Sequence, residues 1–405
     1  MLSVGASAVG TFAFLRKRSL AGDAIAHSVL PGVCLAFLLF DTRELWILLL
    51  GAFTTGWISI LFVDFITNKS KIKPDAAIGI TLSIFFGIGI VLLTYIQQNG
   101  NSGQSGLNNF LLGKAAAMSR SDVITMIIVS SIILITLLLF FKEFMLISFD
   151  RSFAVSIGLP VRRLEVVLTT LTVLSVAVGI QAVGVVLIAA LLITPPAAAR
   201  FWTNNLKVMF LVSIVIGVIG GISGAYISFL NNKMPTGPWV VSTTSILVVF
   251  SILAAPKKGL IAKWLSRKKY RQKVDDENAL KLLYHLEEQS PSEKFFNLDQ
   301  MVERRYWDQK KLVSILNKLT NKDKVVKDGY LYGLSNKGRK EGKRIVRIHR
   351  LWEMYLTQKM NIASDHVHDD AEAIEHIITP EMERRLAALL DYPEKDPHDK
   401  EIPWP

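Results

Sequence analysis

A chain of 405 residues with 51% apolar and only 20% charged side chains is too hydrophobic for an average soluble protein and too uneven for one domain. Its single cysteine, Cys34, excludes an intrachain disulfide framework and a cysteine-rich zinc site, so any metal chemistry rests on His and carboxylate groups. The net charge of +12 is weak evidence for nucleic acid, because much of it flanks apolar segments, where lysine and arginine set membrane orientation.

A helix needs about 20 apolar residues to cross a bilayer. Candidate spans fall near residues 2–15, 24–40, 45–66, 77–96, 122–141, 164–183, 184–199, 207–230 and 237–255. The first is too short, which reflects either a misassigned start or an opening helix that does not fully span. A cleaved signal peptide is not expected, since the basic residues follow the apolar stretch instead of preceding it. One set of connections holds Arg16, Lys17, Arg18, Lys69, Lys71, Lys73, Lys142, Arg151, Arg162, Arg163, Arg200 and Lys207, and the other only Arg43, Lys114, Arg120 and Lys233. The positive-inside rule puts the first set, and with it the charged C-terminal half, in the cytoplasm.

Two stretches of the apolar half carry more specific signals. In RKRSLAGDAIAHSVLPG, Asp23 and His27 are four apart, so a helix points both to one side, and ionisable groups inside a membrane line a pathway or pair with each other. The competing reading is an interfacial Asp that caps the helix start beside a packed His. In SFDRSFAVSIGLPVRR, residues 148–163, a polar amphipathic interruption separates two spans. A short helix closed by Gly158 and Pro160 would dock on a cytoplasmic partner; the alternative is a plain connecting loop.

RKRSLAGDAIAHSVLPGVCLAFLL, SFDRSFAVSIGLPVRRLE and GIQAVGVVLIAALLITPPAAAR occur in this order, and residues 1–256 resemble the membrane permeases of manganese-, zinc- and iron-importing ABC transporters. Relative to that family the N-terminus is cut short. The resemblance implies import of a divalent transition metal delivered by an extracytoplasmic binding protein. It makes residues 148–163, with Ser148, Asp150, Gly158 and Pro160, the coupling helix for an ATPase. That ATPase must be a separate polypeptide, because GxxxxGK[ST] is absent and GLNNFLLGKA has the wrong spacing and lacks the Ser or Thr that holds magnesium.

The charged half opens with KKGLIAKWLSRKKYRQK, suited to an anionic leaflet. Residues 275–289 read as a helix, NLDQMVERR and WDQKKLVSILNKLTNKD as two more, and KVVKDGYLYGLS as a hairpin around Asp328 and Gly329. Three helices and a hairpin make a winged helix, a module that often binds DNA. A long basic helix follows from Asn336 to about Met360. Residues 349–377 hold four of the seven histidines, His349, His366, His368 and His376. On helices, His349 shares a face with Glu353 and His368 with Glu372, while Glu372, Glu375 and His376 project together. Such nitrogen and oxygen ligands could enclose manganese, iron or zinc. The competing reading is a pair of solvated amphipathic helices with ordinary salt bridges.

RIVRIHRLWEMYL, VHDDAEAIEHIITPEMERRLAALL and DPHDKEIP make this half similar to the iron- and manganese-dependent repressors of the diphtheria-toxin-repressor type. The resemblance places His349, Glu353, His368, Glu372, Glu375 and His376 on metal-ligand positions. Glu372 stands where iron-responsive members carry Cys, and the harder oxygen favours manganese. It also implies a homodimer. Two departures stand out. Where manganese-responsive members have acidic first-helix ligands, this chain has Asn278 and Lys281, a weak ligand and a group that repels a cation. In the DNA-recognition helix, Ser314 beside Lys310 and Lys311 is what remains of the hydroxyl residues used against phosphates.

The expected molecule is mostly α: a polytopic helical membrane permease of about 8–9 spans (1–256), a basic linker (257–274), a winged-helix domain (275–335) and a helical metal-binding and dimerisation domain (336–405). It is expected in a prokaryotic plasma membrane, without catalytic activity of its own, as a metal-importer permease whose C-terminal domain senses metal and regulates transport. The rivals are a membrane-tethered, metal-dependent DNA-binding repressor fused to the permease, and a C-terminal domain that only dimerises.

Overall fold

The computed structural model describes residues 1–16, 21–42, 44–98, 118–230, 234–304, 308–362, 371–372 and 374–404. They form helices and one two-stranded sheet. The chain divides into two compact units, Met1–Lys263 and Trp264–Pro405.

The first unit contains α1 (Leu2–Leu15), α2 (Ala21–Phe40), α3 (Leu45–Lys69), α4 (Pro74–Gln98), α5 (Arg120–Leu139), α6 (Phe141–Phe149), α7 (Arg151–Ser156), α8 (Val161–Val183), α9 (Val185–Trp202), α10 (Leu206–Phe229) and α11 (Thr236–Ala254). Seven described helices are long and apolar enough to cross a membrane: Ala21–Phe40, Trp46–Lys69, Pro74–Gln98, Arg120–Leu139, Val161–Ile180, Leu206–Phe229 and Thr236–Ala254. The shorter apolar helices Leu2–Leu15 and Leu187–Trp202 bring the tally to the expected 8–9. Leu39, Leu61, Val91, Leu139, Ile222 and Phe229 are each more than half exposed, an outer surface that only lipid can cover at acceptable cost. Inside, some hydroxyls are satisfied along their own helices, as Thr81 donates to Ala77 O and Thr172 to Leu168 O, both at 2.8 Å. Helices α2 and α3 cross at two glycines. A Cβ on Gly32 would lie 2.0 Å from Gly51 O, and one on Gly51 2.3 Å from Gly32 O, so the missing side chains let the backbones touch.

The second unit begins within α12 (Leu260–Gln289). The basic segment 257–274 is helical from Leu260 onward, because no Gly or Pro interrupts Lys-, Arg-, Leu- and Gln-rich sequence up to Gln289. The later turns of α12 pack Ala279, Leu280, Leu283 and Leu286 against α13 (Leu298–Arg304), α14 (Gln309–Thr320) and the hairpin β1 (Val325–Asp328) and β2 (Leu331–Leu334). The strands are antiparallel, and Asp328 pairs with Leu331, so the turn residues are Gly329 and Tyr330, one position beyond the expected pivot. This is the helix and hairpin inventory of a winged helix. The long helix α15 runs Asn336–Met360, with Ser335 capping its start through Gly338 N. Its Ile348 and Leu351 share a second core with Ile378, with Leu386, Ala387 and Leu390 in and after α16 (Pro380–Leu389), and with Ile402.

Candidate functional site

In the membrane unit, Asp23 sits in the first turn of α2, where a carboxylate complements the helix dipole. Its Oδ1 is 3.6 Å from His27 Nε2, and the His27 ring meets Phe86 of α4 edge-on at 5.2 Å. The i, i+4 spacing thus brings the pair together as expected, with both side chains half-buried. The segment 148–163 is a short helix with built ends. Ser148, in the last turn of α6, donates to Phe144 O at 2.6 Å. Asp150 caps α7 by accepting from Phe153 N at 2.8 Å. Gly158 then reverses the chain at φ +84°, a left-handed geometry that a Cβ resists, and Pro160 precedes α8. Phe153, Val155 and Ile157 are left more than half exposed. Glu165 of α8, not singled out in the sequence, accepts from Arg16 Nη2 at 3.0 Å and Arg151 Nε at 3.2 Å, fixing α7 against the bundle.

In the second unit the donor-rich stretch is resolved into a buried cluster. His349 and Glu353, one turn apart on α15, meet at 3.1 Å between Nε2 and Oε1. The opposite ring nitrogen, Nδ1, lies 2.6 Å from Glu375 Oε2. Glu375 and His376 occupy a turn rather than a helix, closed by Glu375 N donating to Ala371 O at 3.0 Å. Glu372 is half-buried on the same short stretch, and His368 lies outside the described residues. At the centre is Lys281 of α12: its Nζ donates to Glu375 Oε2 at 2.8 Å and Oε1 at 3.1 Å, and stands 3.0 Å from His349 Nδ1. The Lys281 side chain is 6% exposed and that of Glu375 0%.

Burial alone would favour the neutral form of both His349 and Glu375. Hydrogen bonds to Glu353 and Glu375 reverse this for the imidazole, which is raised above its usual range. The hydrogen bond with His349 and the nearby Lys281 charge hold the Glu375 carboxyl below the usual carboxylate range. On the other side of the cluster, His376 Nδ1 meets Glu277 Oε2 at 2.7 Å, and Lys273 Nζ donates to the His376 carbonyl at 2.9 Å. Glu277 escaped sequence reading because 99 residues separate it from His376. Two buried polar atoms, Asn278 Oδ1 and His376 Nε2, have no hydrogen-bond partner among the described residues.

Among the described residues no three His, Cys, Asp or Glu groups are arranged to hold an ion, and the donors of His349 and Glu375 already hold an ammonium. Asn278 Oδ1 and His376 Nε2 are ligand-type atoms without a hydrogen-bond partner among the described residues, and His376 Nε2 stands 3.6 Å from Glu375 Oε1, so a nitrogen and an oxygen donor remain to offer a cation. Of the two lysines beside Ser314 in the expected DNA-recognition helix, Lys311 pairs with Asp275 at 2.8 Å and Lys310 is exposed; further along, Lys318 and Lys322 share Asp276 at 3.1 and 2.8 Å.

Residues 1–255 match the family described as the ABC 3 transport family. Residues 335–404 match the iron dependent repressor, metal binding and dimerisation domain. The manganese transport system membrane protein MntC of Bacillus subtilis is 38% identical over 394 residues, 96% of this chain and 89% of that protein. The zinc transport system membrane protein TroC of Treponema pallidum is 40% identical over 260 residues, 64% of this chain and 87% of that protein. Among solved structures, PsaBC from Streptococcus pneumoniae in complex with Fab is similar with a TM-score of 0.58 and 34% identity, covering 66% of this chain and 91% of that one.

Proposed function

The chain belongs to the ABC 3 transport family, and from that premise we propose that it is the membrane permease of an importer for a divalent transition metal, manganese first and zinc or iron next. The single observation that carries this is the 38% identity, across 96% of the chain, to a protein named for manganese transport. The named zinc transporter supports the cargo class more than one ion. In this reading the cargo arrives from an extracytoplasmic binding protein, and a separate ATPase subunit supplies the energy. The exposed apolar tip of α7 docks on that ATPase, with Ser148, Asp150, Gly158 and Pro160 shaping the segment. Asp23 and His27, the carboxylate and imidazole of α2, take part in the pathway; both are donors that a dication accepts in exchange for water. The permease lies in a prokaryotic plasma membrane with its C-terminal half in the cytoplasm, where the basic connections also fall.

The C-terminal region is the metal-sensing element, supported by the match over residues 335–404. Its candidate ligands are His349, Glu353, His368, Glu372, Glu375 and His376, and its fold also supplies a dimer contact. Sensing regulates transport when metal binds one conformation better than another and shifts the permease equilibrium. The pairing of Lys311 with Asp275 favours regulation over DNA binding.

Uptake of labelled manganese, zinc and iron by cells expressing the chain with its ATPase tests both statements. Transport of none of the three refutes the importer. Replacement of Glu372 and His376 by Ala is expected to abolish the suppression of uptake by intracellular metal, and unaltered suppression refutes the sensor.

A further inference from the structure

We propose that the Lys281 ammonium is a built-in cation that stands in for a metal ion between α12, α15 and the turn at Glu375, so that His349, Glu353 and Glu375 stay assembled at every metal level. The inference deepens the metal-sensing reading and rests on it. It takes His349, Glu353 and Glu375 out of the candidate ligands for as long as Lys281 is in place.

Three observations carry it. First, position: Nζ lies 2.8 and 3.1 Å from the two oxygens of Glu375 and 3.0 Å from His349 Nδ1, so one cation already bridges the nitrogen and oxygen donors that a metal would have to bridge. Second, burial: with the Lys281 and Glu375 side chains 6% and 0% exposed, neither partner has water to turn to, and removal of one leaves an uncompensated charge inside. Third, charge: Glu353 and Glu375 carry two negative charges, and Lys281 cancels one of them. A dication added beside the ammonium would leave the pocket net positive, which a buried site resists strongly.

The contacts also tie distant parts of the chain. Lys281 is 68 residues from His349 and 94 from Glu375, so the ammonium holds together three elements of the second unit. A metal ion commonly does this work, and here a covalently attached charge does it without dissociating. Asn278 Oδ1 and His376 Nε2 make no hydrogen bond among the described residues and keep ligand capacity, the latter at 3.6 Å from Glu375 Oε1.

The test uses the full chain in detergent, stripped with chelator and then equilibrated with manganese. Lysine acetylation read by mass spectrometry is expected to spare Lys281 equally with and without saturating manganese, while exposed Lys310 and Lys327 react in both. A manganese-induced rise in Lys281 labelling means that the metal displaces the ammonium, and overturns the proposal. Bound manganese measured by plasma mass spectrometry is expected to increase by about one ion per chain in Lys281→Glu, which exchanges the cation for a ligand. A Lys281→Glu variant that is folded by circular dichroism and gains no manganese overturns it as well. If that variant does not fold, the labelling result on the wild-type chain decides. The metal-sensing reading fails separately, when His376→Ala leaves the manganese content of the wild-type chain unchanged.

Discussion

Glu288 and Arg350 meet at 2.6 and 2.9 Å across 62 residues of sequence, joining α12 to α15. Burial would raise the Glu288 carboxyl, but hydrogen bonds with His285 and Arg350 outweigh it and hold the group at about 2. A carboxyl lowered in the folded state adds stability that is present above its unfolded value, and that is lost as pH falls toward the folded one. The second unit is therefore expected to melt at lower temperature as pH drops from about 5 to about 2, and Glu288→Gln should flatten that part of the curve. Thermal scans across this range check it. Asp23→Asn is expected to lower manganese uptake by ~10-fold, about 1.4 kcal/mol of barrier, with the chain still inserted; unchanged uptake returns the pair to a capping role. At this scale the sequence was informative only locally. His349 with Glu353 and Asp23 with His27 follow from i, i+4 spacing, and Lys281 was reached only through the resemblance to the repressors, whereas Glu277 on His376 is a product of tertiary packing that no local pattern encodes.

Among the elements, the α2 and α3 crossing is the most constrained. Gly51→Ala is expected to destabilise the detergent-solubilised chain by roughly 1–3 kcal/mol, because a Cβ there meets backbone that cannot move aside; a fluorescence melt reads the loss. Gly158 differs: a Cβ there meets nothing, so Gly158→Ala costs only the left-handed backbone, about 1–2 kcal/mol. It should distort the end of α7 and reduce co-purification of the ATPase while leaving the bundle folded. Span positions and α15 were legible because apolar runs and helical periodicity are local. The start of α12 was not: a basic composition reads as a linker, yet helix propensity without a breaker carries the helix back to Leu260.

Across the whole molecule, the two units have separate cores, so removal of residues 264–405 is expected to leave an inserted, transporting permease that no longer responds to intracellular metal. Uptake assays with and without metal preloading check this. The division into an apolar and a charged half was visible from composition, because lipid and water demand different surfaces. The helix α12 runs from Leu260 to Gln289 without a break, so the basic residues ahead of Asp275 are carried on helical turns, where the spacing of their charges is set by the backbone and not by loose chain.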